Sequence, residues 1–168
     1  CTADVAALLP AALLRRHATG LDAPLAWFST DDEHPLLRQA RSDGRRSCGV
    51  REGHLWLFDG RASHDLGAVA GMPLTLGGLA THNVQNCAGA ALTALGLGIA
   101  PATIAAVLAR FGRDHRDNPG RLQRWVLGGG VQAYMDYAHN PDGLAQFLAL
   151  VRQAHRKGGR LHLLLGQA

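Results

Sequence analysis

The chain has 168 residues and a formal net charge of +4, with 17 basic against 13 acidic side chains and a single lysine, Lys157. That length suffices for one domain or two small ones, which bury roughly 70% of the unfolded surface when compact. The scattered arginines suit anionic ligands such as phosphates without calling for a nucleic-acid surface, and no run is long and apolar enough for a membrane span. Cys1, Cys48 and Cys87 are odd in number and lack CxxC spacing, which argues against a disulfide framework or zinc ribbon and for a reducing cytoplasm.

Residues 5–18 are rich in Ala and Leu with the polar residues to one side, and predict a helix stopped by Gly20. "LAWFST" predicts a short buried strand and "HPLLRQARSDG" a small helix or irregular link. "RSCGV", "HLWLFDG" and "MPLTLGG" then predict antiparallel strands, with "REGH" as a hairpin turn. "NVQNCAGAALTALGLG" predicts a helix whose small residues allow close packing. "PATIAAVLARFG" predicts a second helix, opened by Pro101, with Ile104, Val107, Leu108 and Phe111 on one face.

"GRDHRDNPGR" has no apolar periodicity and predicts a linker. "LQRWVLGG" and "VQAYMDY" predict strands joined by a glycine turn, followed by a helix over 142–157 and a strand at "RLHLLLG". The fold class is therefore α/β: short antiparallel strands and two helices, then a second α/β part. "YMDYAHNPDG" falls where a strand gives way to a helix, a place where α/β proteins hold ligands. An α/β domain rarely stops on a strand such as "LLLGQA", which reads as a piece of a longer protein.

The sequence contains no P-loop, G-x-S-x-G, H-E-x-x-H or G-x-G-x-x-G, and none of its nine histidines forms a pair at metal-ligand spacing on a clear element. No residue is therefore assigned a catalytic or metal-binding role. Two constellations remain. In "THNVQN", Asn83 is a natural helix N-cap, while Asn86 lies one turn on and presents a second amide able to hold a base edge or phosphate. In "NPGR" and "DYAHNP", Arg121 offers a planar fork to phosphate and Asp136 an acceptor pair for ribose hydroxyls. The plain alternatives are a surface turn and a strand-end salt bridge.

"HNVQN", the helix pair ending in "LARF", "NPGR" and "DYAHNPDGL", in that order and at these spacings, resemble the Mur ligase superfamily of ATP-dependent amide-forming ligases. The run from "LAWFST" to "MPLTLGG" resembles its cyanophycin synthetase branch. The resemblance implies the last portion of a central ATPase domain over residues 1–118, and the first half of a Rossmann-like C-terminal domain over 119–168. It further implies ATP and Mg2+ as cofactors of the complete enzyme, and an acyl phosphate attacked by the amine of an amino acid such as arginine. Asn86, with Asn83 beside it, corresponds to the adenine contact, Arg121 to the arginine near the phosphates and Asp136 to the ribose acid. His139 and Asn140 lie near the nucleotide or the incoming amino acid. The implied partners are ATP, an amino acid and a carboxylate acceptor, with no nucleic acid and no membrane; self-association into a homo-oligomer is compatible with this. The family's P-loop, magnesium-binding acids and activating lysine would precede Cys1 and its Gly-Asp-Arg segment would follow Ala168, so this chain alone is expected to be inactive. A peptidoglycan Mur ligase, a folylpolyglutamate synthase relative and a non-catalytic binding module with the ligase fold are the alternatives.

Overall fold

The computed structural model describes residues 2–4, 25–155 and 158–166. The helix predicted over 5–18 and the end of the one predicted over 142–157 lie outside the described residues. The chain divides into two units, Cys1–Asp117 and Asn118–Ala168.

Unit 1 is built on a five-stranded sheet in the order β1-β2-β3-β4-β5, made by Thr2–Asp4, Ala26–Phe28, Ser47–Arg51, His54–Phe58 and Ser63–Ala68. The first three strands run parallel and the last two pairs antiparallel. The sheet is thus mixed, where the sequence predicts an antiparallel one. Helix α1, Pro35–Ser42, carries the chain between parallel β2 and β3, a connection too long for a hairpin to make. The β3–β4 hairpin closes through Glu52 (φ 51°) and Gly53 (φ 75°), the paired left-handed residues that a tight hairpin with the natural strand twist requires.

Period-two alternation decides what each face of the sheet packs against. Ala26, Cys48, Leu55 and Leu57 face helix α2, Thr81–Gly96, whose Val84, Cys87, Ala88, Ala91 and Leu92 complete a core with Ile104 of helix α3, Pro101–Leu108. Trp27 points to the opposite face and packs with Leu37 and Ala40 of α1. Small residues let α2 approach closely: a methyl added at Gly89 would stand 3.3 Å from the Phe28 ring. Of the face predicted for α3, Ile104 is buried and Leu108 packs against the core, but Val107 is exposed and Phe111 lies beyond the helix end. On the α1 side Asp32 is buried, and Arg41 reaches it with Nη1 at 2.8 Å from Oδ1 and Nη2 at 2.9 Å from its carbonyl.

"MPLTLGG" is not a strand. It forms a 3-10 turn, Pro73–Thr75, close behind another at Val69–Gly71, and ends in Leu76, Gly77 and Gly78 at φ 50°, 73° and 90°. Pro73 has no N–H for a ladder, and three consecutive left-handed residues cannot extend. Thr75 is the hub of this segment: its buried hydroxyl lies 2.6 Å from Val69 O and 2.9 Å from Met72 O, and accepts the Gly78 amide at 3.1 Å.

In unit 2, β6 (Gln123–Val126) and β7 (Gln132–Met135) form an antiparallel hairpin closed by the turn at Gly128–Gly130, and helix α4 (Pro141–Ala154) follows. Leu144, Phe147, Leu148 and Val151 are half-buried at the predicted spacing, with Leu150 the most buried. The strand predicted at "RLHLLLG" is absent: residues 160–166 have no regular structure, and Leu164 is 96% exposed. A strand exists only by pairing, and among the described residues this run pairs with none.

Candidate functional site

In unit 1 the two asparagines sit in the first turns of α2. The predicted N-cap role of Asn83 is not what the structure shows, because the cap position belongs to Ala80, which makes no side-chain capping bond. Asn83 lies inside the helix, three residues further on. Its amide turns back to the 3-10 segment, where Nδ2 donates to the Leu74 carbonyl at 2.8 Å. With Nδ2 committed, Oδ1 of Asn83 accepts from Nδ2 of exposed Asn86 at 3.2 Å. This relay orients both amides and leaves Oδ1 of Asn86 as an acceptor on the surface, suited to an amino group. The segment misread as a strand thus supplies the carbonyl that anchors the relay, a link nine residues apart in sequence.

In unit 2 Arg121, Asp136 and His139 lie about the end of the β6–β7 ladder, and Asn140 stands at the start of the helix that follows. Asp136 takes two backbone amides, Leu122 N–H on Oδ2 and Ala138 N–H on Oδ1, both at 2.8 Å, rather than forming a strand-end ion pair. The Tyr137 amide donates to the Gly120 carbonyl at 2.9 Å, and the Arg121 amide closes a turn on the Asn118 carbonyl at 3.2 Å. The Arg121 guanidinium lies 5.5 Å from the Tyr137 ring centre, and the His139 ring 5.3 Å from it on a 41° tilt. Asn140 is the N-cap of α4, its Oδ1 accepting the Gly143 amide at 2.7 Å, with Pro141 in the first turn.

Tyr137 is the member of this cluster that sequence reasoning misses. An aromatic residue at a strand end reads as strand propensity, and only the folded arrangement shows it 61% exposed between a cation and an imidazole. No group of three or more metal-ligating side chains gathers among the described residues, and no described helix is long and apolar enough to cross a membrane.

A mixed α/β unit with an amide relay at a helix start, followed by a strand–loop–helix unit with an Asp, Arg and His at its edge, is the class of protein these parts define. The chain is similar in sequence to ligases of the Mur superfamily. It is 31% identical over 130 residues to a cyanophycin synthetase of a Nostoc species, an alignment covering 77% of this chain and 14% of that protein. With the cyanophycin synthetase of Crocosphaera subtropica it shares 28% over 155 residues, 92% of this chain and 17% of the relative. A UDP-N-acetylmuramoyl-L-alanyl-D-glutamate–2,6-diaminopimelate ligase of an Acidovorax species is 39% identical over 88 residues, covering 51% of this chain and 16% of the relative. The chain therefore spans about a sixth of the length of these curated relatives. It matches no protein-family model.

Proposed function

We propose that this chain forms part of the nucleotide site of a cytoplasmic, ATP-dependent amide-bond-forming ligase of the cyanophycin synthetase kind, one that adds an amino acid such as arginine to a carboxylate through an acyl phosphate. The observation that carries this reading is the relay from the Leu74 carbonyl through Asn83 to Asn86, which fixes an outward acceptor suited to the amino group of adenine. In this reading Arg121 faces the phosphates, Asp136 uses its remaining lone pairs for the ribose, and His139 and Asn140 border the nucleotide or the incoming amino acid. The cyanophycin branch is preferred over the peptidoglycan ligases because the alignments with its members cover 77% and 92% of the chain, against 51% for the diaminopimelate ligase. Residues 1–118 belong in this reading to the ATPase domain and 119–168 to the C-terminal domain.

Catalysis of phosphoryl transfer rests on positioning and charge neutralisation at the γ-phosphate by a P-loop, its lysine and Mg2+, and these 168 residues contain no P-loop. The isolated chain is accordingly expected to bind Mg-ATP no tighter than about millimolar, near 4 kcal/mol, and to release no phosphate. Titration of the 15N-labelled chain with Mg-ATP is expected to shift the Asn86 side-chain amide and the amides of residues 120–122 and 136–140. Asn86→Ala should remove the response in α2. An unperturbed Asn86 at saturating solubility of the nucleotide would count against the assignment, and phosphate release by the purified chain would overturn the expected inactivity.

A further inference from the structure

Antiparallel pairing of β6 and β7 proceeds in register as far as Gln123 and Met135. The next pair would join Leu122 to Asp136, but the ladder stops being a backbone ladder there. Leu122 adopts φ 46°, which turns its N–H away from a strand partner, and the Asp136 carboxylate supplies the acceptor instead. Beyond it the bond from Tyr137 N–H to the Gly120 carbonyl is one residue out of step, so residues 120–122 hold one more residue than the strand opposite. The other oxygen of Asp136 takes the amide of Ala138, at φ 33°. Leu122 and Ala138 are non-glycine residues in a conformation that L side chains adopt at a cost, and such conformations persist only where the surroundings over-determine them. Asp136 makes a bond to each of these two residues, and each lies next to a candidate ligand-facing side chain: Arg121 precedes Leu122, and Tyr137 and His139 flank Ala138.

We infer that Asp136 is the positioning residue of this edge: its carboxylate locks the two left-handed residues and thereby sets where the Arg121 guanidinium and the Tyr137 and His139 rings stand. The importance of this edge for a ligand rests on the nucleotide reading above, but the lock itself is a property of the free chain. Removing the carboxylate releases both strained residues at once, and Arg121, Tyr137 and His139 lose their common arrangement while the hairpin, held by four pairs of residues from Gln123 to Val126, remains. A neutral amide keeps one acceptor and meets the second backbone N–H with an N–H of its own, so it holds one side of the lock only.

The test compares the full 168-residue chain with its Asp136→Ala and Asp136→Asn variants, without nucleotide, by amide hydrogen exchange and by the ring proton shifts of Tyr137 and His139. For Asp136→Ala the Leu122 and Ala138 amides are expected to exchange at least tenfold faster while those of β6 and β7 hold their protection, and the ring shifts should move to averaged values. Asp136→Asn should restore slow exchange at one of the two amides and part of the ring shifts, a rescue that general loss of stability does not produce. Unchanged exchange at Leu122 and Ala138, ring shifts unmoved by Asp136→Ala, or equal acceleration across the whole hairpin in both variants would overturn the inference. Because no nucleotide enters, failure of the ATP assignment leaves this result untouched.

Discussion

Unit 1 and unit 2 solve the burial problem differently. The sheet of unit 1 is covered on both faces, by α2 and α3 on one side and α1 on the other, and Leu37, Leu55 and Leu57 are fully buried. In unit 2 only Leu122 and Leu150 are buried among its described apolar residues, while Val126, Leu164 and Leu165 are at least 69% exposed. An apolar cleft of about 470 Å³ opens between the hairpin, α4 and residues 159–164, lined by Val131, Phe147, Leu148 and Val151 among others. Hydrophobic stabilisation scales with area taken from water, so unit 1 is the more stable body and unit 2 the one that opens first.

The largest expected effect sharpens that contrast. Leu57→Ala, in a packed core with no room to collapse, should cost about 3–5 kcal/mol, whereas Leu164→Ala removes a side chain already in water and should cost under about 0.5 kcal/mol. Denaturation followed by hydrogen exchange read separately over the two units checks this. Equal losses would mean that residues 160–166 are packed in solution.

Next in size is Arg41→Ala, expected to cost about 3 kcal/mol, because it strips the buried Asp32 of the guanidinium that donates to its carboxylate and to its backbone carbonyl, and leaves Arg51 at 3.9 Å. Burial raises the Asp32 carboxyl above its ordinary value of 3.8, with Arg41 and then Arg51 opposing. Between the ordinary and the raised value the folded state binds more protons than the unfolded, so this group's contribution falls as pH rises through that window. The deficit of Arg41→Ala should therefore shrink at acid pH, where Asp32 is neutral in both states. A deficit independent of pH would show that the lost partner acts by packing alone.

A smaller effect of opposite sign lies at the β4–β5 turn. Asp59 accepts the Ala62 amide, the His64 ring and the Arg61 amide, and these bonds hold its carboxyl down at about 2. A depressed value contributes stability that is present above the ordinary carboxylate range and lost as pH falls toward 2. Asp59→Asn should cost about 1–2 kcal/mol at neutral pH, and the gap should close in acid. Parallel acid-unfolding curves for the two proteins would refute this.

What could be read from the sequence followed from how local each signal is. Alternation in "HLWLF" marks β4 because Leu55 and Leu57 are its buried residues, and Glu-Gly marks the hairpin because its conformation is set within two residues. Strand β5, "SHDLGA", carries only one buried apolar residue, Leu66, so it offers no period to detect; it exists because β4 presents it a ladder. "MPLTLGG" and "RLHLLLG" fail for the converse reason: apolar content suggests strands, but turn chemistry decides the first and a pairing partner would have to decide the second. The candidate residues near "DYAHNP" were legible as a cluster. Their arrangement was not, since it depends on Asp136 reaching across the hairpin to Leu122, fourteen residues away in sequence.

The smallest expected effect bears on Asn140, which the superfamily resemblance places near the nucleotide or amino acid and the structure places at the start of α4. Its Oδ1 accepts the Gly143 amide at 2.7 Å, satisfying one of the four N–H groups that a helix start leaves free. Asn140→Ala should thus cost about 1 kcal/mol and Asn140→Asp almost nothing, because a carboxylate caps equally well and favours the positive end of the helix. A ligand role predicts another order: an aspartate would place a negative charge beside phosphates and weaken Mg-ATP binding while leaving the helix intact. Thermal melting together with the nucleotide titration separates the two roles. If Asn140→Asp melts like the parent chain and its Mg-ATP shifts are unchanged, Asn140 serves the helix alone; if the shifts shrink while the melting curve holds, it also faces the ligand.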